Sequence, residues 1–131
     1  MTKQDVIDYA LTLKGATADS PFDEDFETVV LRHSDSRKWF GLIMLYKGKY
    51  ILNLKCEPEQ SDFLKAAYEG ITEAYHMNKR LWITVYIDSD VPENEIKRLI
   101  GHSFELTGSR ERSGRRAGNA PAGDCRVDSF K

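Results

Sequence analysis

A short run of polar and aromatic residues in the second half of the chain holds the side chains best suited to bind a ligand. His76, Asn78, Lys79 and Trp82 combine hydrogen-bond donors, a cation and an aromatic plane within seven positions. Such donors and cations can hold an anion, and the flat ring of a base can stack on the indole of Trp82. The run therefore predicts a pocket for an anion or a base.

The same run also has a purely structural interpretation. Asn78 and Lys79 suit a turn that leads into a strand. His76 can bond to the nearby backbone, and Trp82 suits the core. On this interpretation the run is a corner of the fold and not a ligand site.

Further positive charge lies outside the run. Lys55 ends one predicted strand and Arg32 lies in another, so both add charge to the same surface if those strand ends lie nearby. Otherwise they are ordinary solvated charges. The strongest cluster of cations is in the C-terminal tail, at Arg110, Arg112, Arg115 and Arg116. These arginines can contact phosphates without sequence preference, or the tail touches nothing.

Charge is divided unevenly along the chain. Residues 1–107 hold 13 Lys and Arg against 18 Asp and Glu, whereas residues 108–131 hold 6 against 3. An acidic body repels a phosphate backbone unless its cations are gathered on one face, because nonspecific affinity comes mainly from counterion release. The tail has almost nothing to bury, so residues 108–131 are predicted to be disordered.

Metal chemistry has little support in the sequence. His33, His76 and His102 are isolated and form no HxxxH or CxxC spacing, so no metal site and no cofactor are expected. The acidic residues at 19–27 could gather a hard cation weakly. They lack the regular ligand positions of a calcium loop, which favours a solvated acidic loop.

The cysteines and the serine near the end of the last helix give no sign of catalysis. Cys56 and Ser103 lack a nucleophile motif, and no glycine-rich nucleotide loop is present, so we expect a binding protein and not an enzyme. Cys56 and Cys125 indicate no disulfide framework, which predicts a cytoplasmic protein. No signal peptide and no apolar run of about 18 residues is present, so no membrane contact is expected.

Apolar spacing predicts three helices. Thr2 and Asp5 resemble a capping box that opens the first, which ends near Gly15. The second and third begin at Pro58 and Pro92, since proline suits the first turn of a helix. Their predicted buried stripes are Phe63, Leu64, Ala67 and Tyr68 in the second helix and Ile96, Leu99, Ile100 and Phe104 in the third.

Strands are predicted at 28–33, 39–46, 50–55, 71–75 and 81–87, and residues 16–26 are predicted to be an acidic loop. The order α-β-β-β-α-β-β-α indicates an α+β domain over residues 1–107, in which an antiparallel sheet has helices packed on one face. The strand at 39–46 is apolar on both sides. A second layer of the same chain, or a partner, must cover its spare side.

The run at 75–87, followed by Val91, Pro92 and the helix end Ser103-Phe104, resembles the MmcQ/YjbR family of small bacterial proteins. The resemblance covers roughly residues 1–106. It implies the same two-layer fold, which is similar to CyaY-like domains and type III secretion chaperones. It also implies a DNA-binding role, which would fall to Lys55, His76, Asn78, Lys79 and Trp82.

Three functions follow from these observations. The first is DNA binding, as the resemblance implies, with the tail arginines as auxiliary phosphate contacts. The second is a protein- or peptide-interaction module that uses an exposed apolar sheet face, as secretion chaperones do. The third is a small-ligand pocket at residues 76–82.

Overall fold

The structure is a computed structural model that describes residues 1–20, 27–74 and 77–108 of the 131-residue chain. The predictions for His76, for the acidic residues at 23–25 and for the tail from 109 onward lie outside these residues. In chain order the described elements are α1 Lys3–Leu11, β1 Ala16–Asp19, β2 Val29–His33, β3 Trp39–Tyr46, β4 Lys49–Lys55, α2 Pro58–Ala67, β5 Ile71–Glu73, β6 Trp82–Tyr86 and α3 Glu93–Leu106.

The strands form one sheet in the order β1-β2-β3-β4-β6-β5, and every neighbouring pair is antiparallel. The predicted α+β class and the order of the predicted elements are confirmed, and the structure adds one strand. β1 lies in the region predicted to be an acidic loop, so that prediction is wrong for Ala16–Asp19. β1 is a four-residue edge strand whose pairing with β2 holds it in place, and local composition does not reveal that partner.

All three helices pack on one face of the sheet, the first face. Their buried residues join strand residues such as Leu31, Ile43 and Leu52 in one core cluster. The predicted stripe of α3 is confirmed, because Ile96, Leu99 and Ile100 are all buried. No helix within the described residues is long and apolar enough to cross a membrane.

The stripe predicted for α2 is wrong at Phe63, whose side chain is 68% exposed, and at Ala67, which is exposed as well. α2 packs beside β5 at the edge of the sheet, so only a narrow strip of the helix is covered. Ser61 and Leu64 are its buried residues. Because the helix contacts the sheet edge on one side only, the phenylalanine stays exposed within the part of the chain that the structure describes.

The opposite side of the sheet, the second face, carries a smaller apolar cluster that includes Val30, Leu42 and Trp82. The described residues of segment 74–81 between β5 and β6, which are Ala74 and residues 77–81, cover this cluster with Ala74 and Met77. β3 is apolar on both sides because helices cover one side and this segment of the same chain covers much of the other.

One hydroxyl joins α3 to the middle of the sheet. Ser103 donates to the carbonyl oxygen of Phe40 at 2.6 Å and accepts from the N–H of Lys55 at 2.9 Å. The ladder between β3 and β4 ends one step earlier, at Gly41 and Leu54. The serine therefore bridges the next pair of residues in place of a direct bond between the strands.

Replacement of Ser103 by alanine should lower the free energy of unfolding by about 2–3 kcal/mol, because one buried and one partly buried backbone group lose their partner. Urea denaturation followed by circular dichroism measures the loss. Ser61→Ala is the matched control, since Ser61 is also buried in a helix but its hydroxyl has no hydrogen-bond partner among the described residues. Equal losses in the two variants would contradict the bridging role.

His33 ends β2 near the C-terminal end of α3. Its ring stacks on Phe104 with the centroids 4.2 Å apart, and it meets Phe40 edge-on. Its Nε2 atom lies 2.9 Å from the hydroxyl oxygen of Thr107. Burial lowers the pKa of His33 below its ordinary value, because an apolar surrounding disfavours the charged ring.

Stability should therefore depend on the protonation of His33. The unfolded chain binds the proton more readily, so this contribution is fully present above about pH 6.5 and is lost below it, by at most about 1.4 kcal/mol per pH unit. Unfolding measured between about pH 8 and pH 5 should show a steeper decline for the natural chain than for His33→Gln. Identical slopes would assign the decline to other groups.

Candidate functional site

The antiparallel register brings one end of the central strands together, and positive charge concentrates there. Cross-strand pairs at this end join Arg32 to Trp39 and Lys55 to Trp82. The turns at 12–15 and 34–38 and the segment 74–81 close the same end. The basic residues of this cationic end are Lys14, Arg32, Arg37, Lys38, Lys55, Lys79 and Arg80.

Few carboxylates balance these cations. Among the described residues of the sheet and its connections, the acidic residues at this end are Asp35, Glu73 and Asp19, whose carboxylate pairs with Arg32, while Glu57 and Glu105 belong to the helix layer. The opposite end has the reverse composition. There Lys47 and Lys49 face a larger set of acids, namely Glu27, Glu69, Asp88 and Asp90.

The cations of the helices are all engaged, unlike several at the cationic end. Each of the four basic residues in the helices forms an ion pair: Lys3 with Glu27, Lys65 with Asp62, Lys97 with Glu93 and Arg98 with Glu95. Arg37 and Arg80 are exposed and Lys38 is partly exposed, and none of the three forms an ion pair with another described residue. The surface that can attract an anion is therefore the end of the sheet and not a helix.

The residues predicted from the sequence divide into two groups. Asn78 builds the turn before β6, because its side-chain oxygen accepts from the N–H of Arg80 at 2.9 Å. Trp82 is 4% exposed and packs in the second-face cluster. This geometry favours the structural interpretation for both residues. Lys79 is exposed and Lys55 partly exposed, and both lie at the cationic end, where their role in binding stays a prediction.

Trp82 should be among the residues on which stability depends most. Trp82→Ala should lower the free energy of unfolding by about 3–5 kcal/mol, because a large buried ring is replaced by a cavity. Trp39→Ala, on the same face but partly exposed, should cost clearly less. A small loss for Trp82→Ala in chemical denaturation would show that the indole is not a core residue.

Two cations and two indoles alternate across four neighbouring strands at the cationic end. The guanidinium of Arg32 lies 5.6 Å from the centre of the Trp39 ring and pairs with Asp19 at 3.1 Å. Lys55 follows on β4 and stands opposite Trp82 on β6. The prediction that Arg32 and Lys55 join the surface near residues 76–82 depends on their strand ends lying nearby, and they do.

A groove on the second face leads from this end towards the acidic end. One part, of about 250 Å³, is bordered by Lys79, Thr72 and Thr84, and a second part, of about 590 Å³, lies beyond it. Tyr46 and Tyr86 line both parts, so we call it the tyrosine groove. Its other lining residues are Lys47, Lys49, Ile51, Glu69, Gly70, Glu73, Ala74, Asp88, Ser89 and Asp90.

The two tyrosines differ in their surroundings. Lys47 places its ammonium 5.3 Å from the centre of the Tyr46 ring. Tyr86 is partly exposed, and its side chain makes no hydrogen bond or ring contact with another residue of the described ranges. The Tyr86 ring is therefore a planar surface that a ligand in the groove can reach.

Asp90 holds together the two loops that form one wall of the groove. Its carboxylate accepts from the backbone N–H groups of Glu69, at 2.9 Å, and Gly70, at 2.8 Å. These bonds lower the pKa of Asp90, because they stabilise the charged form. A Cβ atom at Gly70 would lie only 2.1 Å from the hydroxyl oxygen of Ser89, so the loops meet at a position that requires glycine.

The Cys56 thiol is not an activated nucleophile. Burial raises the pKa of the Cys56 thiol to about 11, so the thiol is protonated at neutral pH. His102 lies 2.7 Å from the carboxylate of Glu57 and lowers the pKa of that group. Within residues 1–20, 27–74 and 77–108, no three metal-binding side chains come together.

Sequence reasoning missed the tyrosine groove and most of the cationic end. Arg37, Lys38 and Arg80 lie in turns, where single charges are unremarkable in a sequence. Tyr86 shares a face with Thr84 and Trp82 by strand alternation, and that was the available signal. Tyr46 joins them only through the pairing of β3, β4 and β6.

The fold and sequence of this chain recur in known proteins. A family model described as YjbR matches residues 11–106. The chain belongs to the YjbR family. Among its relatives is the uncharacterized protein YyaQ of Bacillus subtilis, 37% identical over 117 residues that cover 82% of this chain and 98% of YyaQ. The uncharacterized protein YjbR of Escherichia coli K12 is 24% identical, over 80% of this chain and 86% of that protein.

Solved structures support the same membership. A crystal structure of a Pseudomonas syringae protein superposes on this YjbR-family chain with a TM-score of 0.75 at 36% identity, and covers 82% of this chain and 100% of its own. The Deinococcus radiodurans protein DR2400, with a DUF419 domain, gives a TM-score of 0.74 at 27% identity, over 87% of this chain and 83% of its own. The predicted resemblance to the family is confirmed.

Proposed function

We propose that this YjbR-family protein is a non-enzymatic module that binds nucleic acid, nominally DNA, through the cationic end of its sheet. The single observation that carries the proposal is the separation of charge within an acidic body. Seven basic residues gather at one end of the sheet, and the acidic residues gather mainly at the other. This meets the condition under which an acidic protein can still bind a phosphate backbone.

The residues at this end suit phosphate contacts. Arg37 and Arg80 are exposed and Lys38 is partly exposed, all in turns or loops, so their charges can approach a phosphate backbone without first breaking an ion pair with another described residue. Lys79 and Lys55 add two of the residues predicted from the sequence. Contacts of this kind position a nucleic acid and carry little sequence information, so affinity should depend strongly on salt.

The tail begins beside the same surface. α3 ends close to His33, and a Cβ atom at Gly108 would lie 3.6 Å from the His33 ring. Arg110 follows two residues later. We propose that the tail arginines Arg110, Arg112, Arg115 and Arg116 act as auxiliary phosphate contacts next to the cationic end.

The protein- or peptide-interaction function is the weaker proposal. Its main support was the doubly apolar strand β3, and segment 74–81 of the chain itself covers much of the second side. A non-enzymatic role is supported by the protonated Cys56 thiol and by Ser103, whose hydroxyl is engaged between two backbone groups.

Neutralising the cationic end should weaken DNA binding. We expect the triple variant Arg37→Gln, Lys38→Gln and Arg80→Gln to have a shallower plot of log affinity against log salt concentration. The slope should become less negative by about 2–3, since each lost phosphate contact removes about 0.7–0.9 from it. Fluorescence polarisation with a labelled mixed-sequence DNA measures it.

The matched control removes the same charge from the helices, as Lys65→Gln, Lys97→Gln and Arg98→Gln. It should leave the salt dependence nearly unchanged, because these cations lie in the helix layer. Equal effects of the two triple variants would show that net charge alone matters and would contradict the proposed surface. A third variant replaces the four tail arginines by glutamine in the full-length chain. It measures how much the tail contributes to DNA affinity.

A further inference from the structure

The tyrosine groove and the cationic end lie along the same face of the sheet but present different chemical groups. Trp82 marks the cationic end of β6 and Tyr86 lies in the groove, four residues further along, or about 13 Å. The first site is rich in cations. The second combines an aromatic plane with the carboxylates of Glu69, Glu73, Asp88 and Asp90.

The carboxylates decide which part of a nucleic acid the groove can hold. Like charges repel, so a groove bordered by four carboxylates disfavours phosphates, although Lys47, Lys49 and Lys79 offset part of that charge. Carboxylate oxygens accept hydrogen bonds from the amino groups of bases, and tyrosine rings stack on base planes. The groove therefore suits bases, while the cationic end suits phosphates.

We infer that the nucleic acid bound by this surface is single-stranded, with a base stacked on Tyr86. This inference rests on the proposed function. In a duplex the base planes are stacked inside the helix and cannot reach a ring that lies in a groove. The described helices also offer no basic face for a DNA groove, because Lys3, Lys65, Lys97 and Arg98 are all ion-paired.

Tyr86 is the stacking residue because of its position and its surroundings. It lines both parts of the groove and is partly exposed, and its side chain has no hydrogen bond or ring contact to the rest of the described chain. Lys79 lies at the boundary, where it borders the groove and belongs to the cationic end. A strand whose backbone runs along the cationic end can therefore turn a base towards Tyr86.

The test measures binding of a labelled single strand of about 12 nucleotides, as DNA and as RNA, and of the duplex of the same sequence. We expect the duplex to bind at least about tenfold more weakly than the better single strand. Tyr86→Ala should weaken single-strand binding by about 5- to 100-fold, the range found when a stacking aromatic is removed. Tyr86→Phe keeps the ring and should change affinity by less than about 2-fold.

The outcomes separate the two proposals. If neither single strand nor duplex binds, the proposed function fails and the inference fails with it. If the duplex binds as tightly as the single strands and Tyr86→Ala has no effect, the inference is overturned while nucleic-acid binding stands. If Tyr86→Ala weakens binding of either single-stranded DNA or single-stranded RNA, the inference is supported. The nucleic acid that the natural chain binds more tightly then shows whether deoxyribose or ribose is preferred. If circular dichroism shows that Tyr86→Ala does not fold, Tyr86→Leu is used in its place, because leucine keeps the apolar bulk without the aromatic ring.

Discussion

The hydroxyl of Ser103 is the contact on which the arrangement of the two layers depends. It bonds to Phe40 and Lys55 on adjacent strands, just where their own ladder stops. A side chain of α3 thus takes over from a backbone bond and ties the helix to the centre of the sheet. The C-terminal part of α3, the stacked pair of His33 and Phe104, and the end of β4 are all held in place around it.

The cationic end of the sheet is built next to this contact. β4 ends at Lys55 beside the bridge, and its pairing with β6 places Trp82 opposite. Trp82 then anchors segment 74–81, which carries Lys79 and Arg80 to the same end as the turn with Arg37. The charge separation is therefore a result of topology, since connections from distant parts of the chain close the same end of one sheet.

Much of the fold could be predicted because its strongest signals are local. The apolar run of β3 extends over the whole strand, the buried stripe of α3 is periodic along the helix, and Thr2 and Asp5 form the expected capping box. β1 and the exposed Phe63 could not be predicted, because pairing at an edge and one-sided packing are tertiary effects. The site was harder still. Lys79 and Lys55 were identified as single residues, but the groove at Tyr86 depends on strand pairing between residues far apart in the sequence.

The bonds from Asp90 to Glu69 and Gly70 have a consequence for the speed of recognition. They fix one wall of the groove before any ligand arrives, and the close contact of Gly70 with Ser89 leaves that wall little room to move. A preformed cleft adds no ordering step to association, so encounter should be limited by diffusion and electrostatic steering rather than by a slow rearrangement. Differences among ligands should then appear mainly in how long each one stays bound.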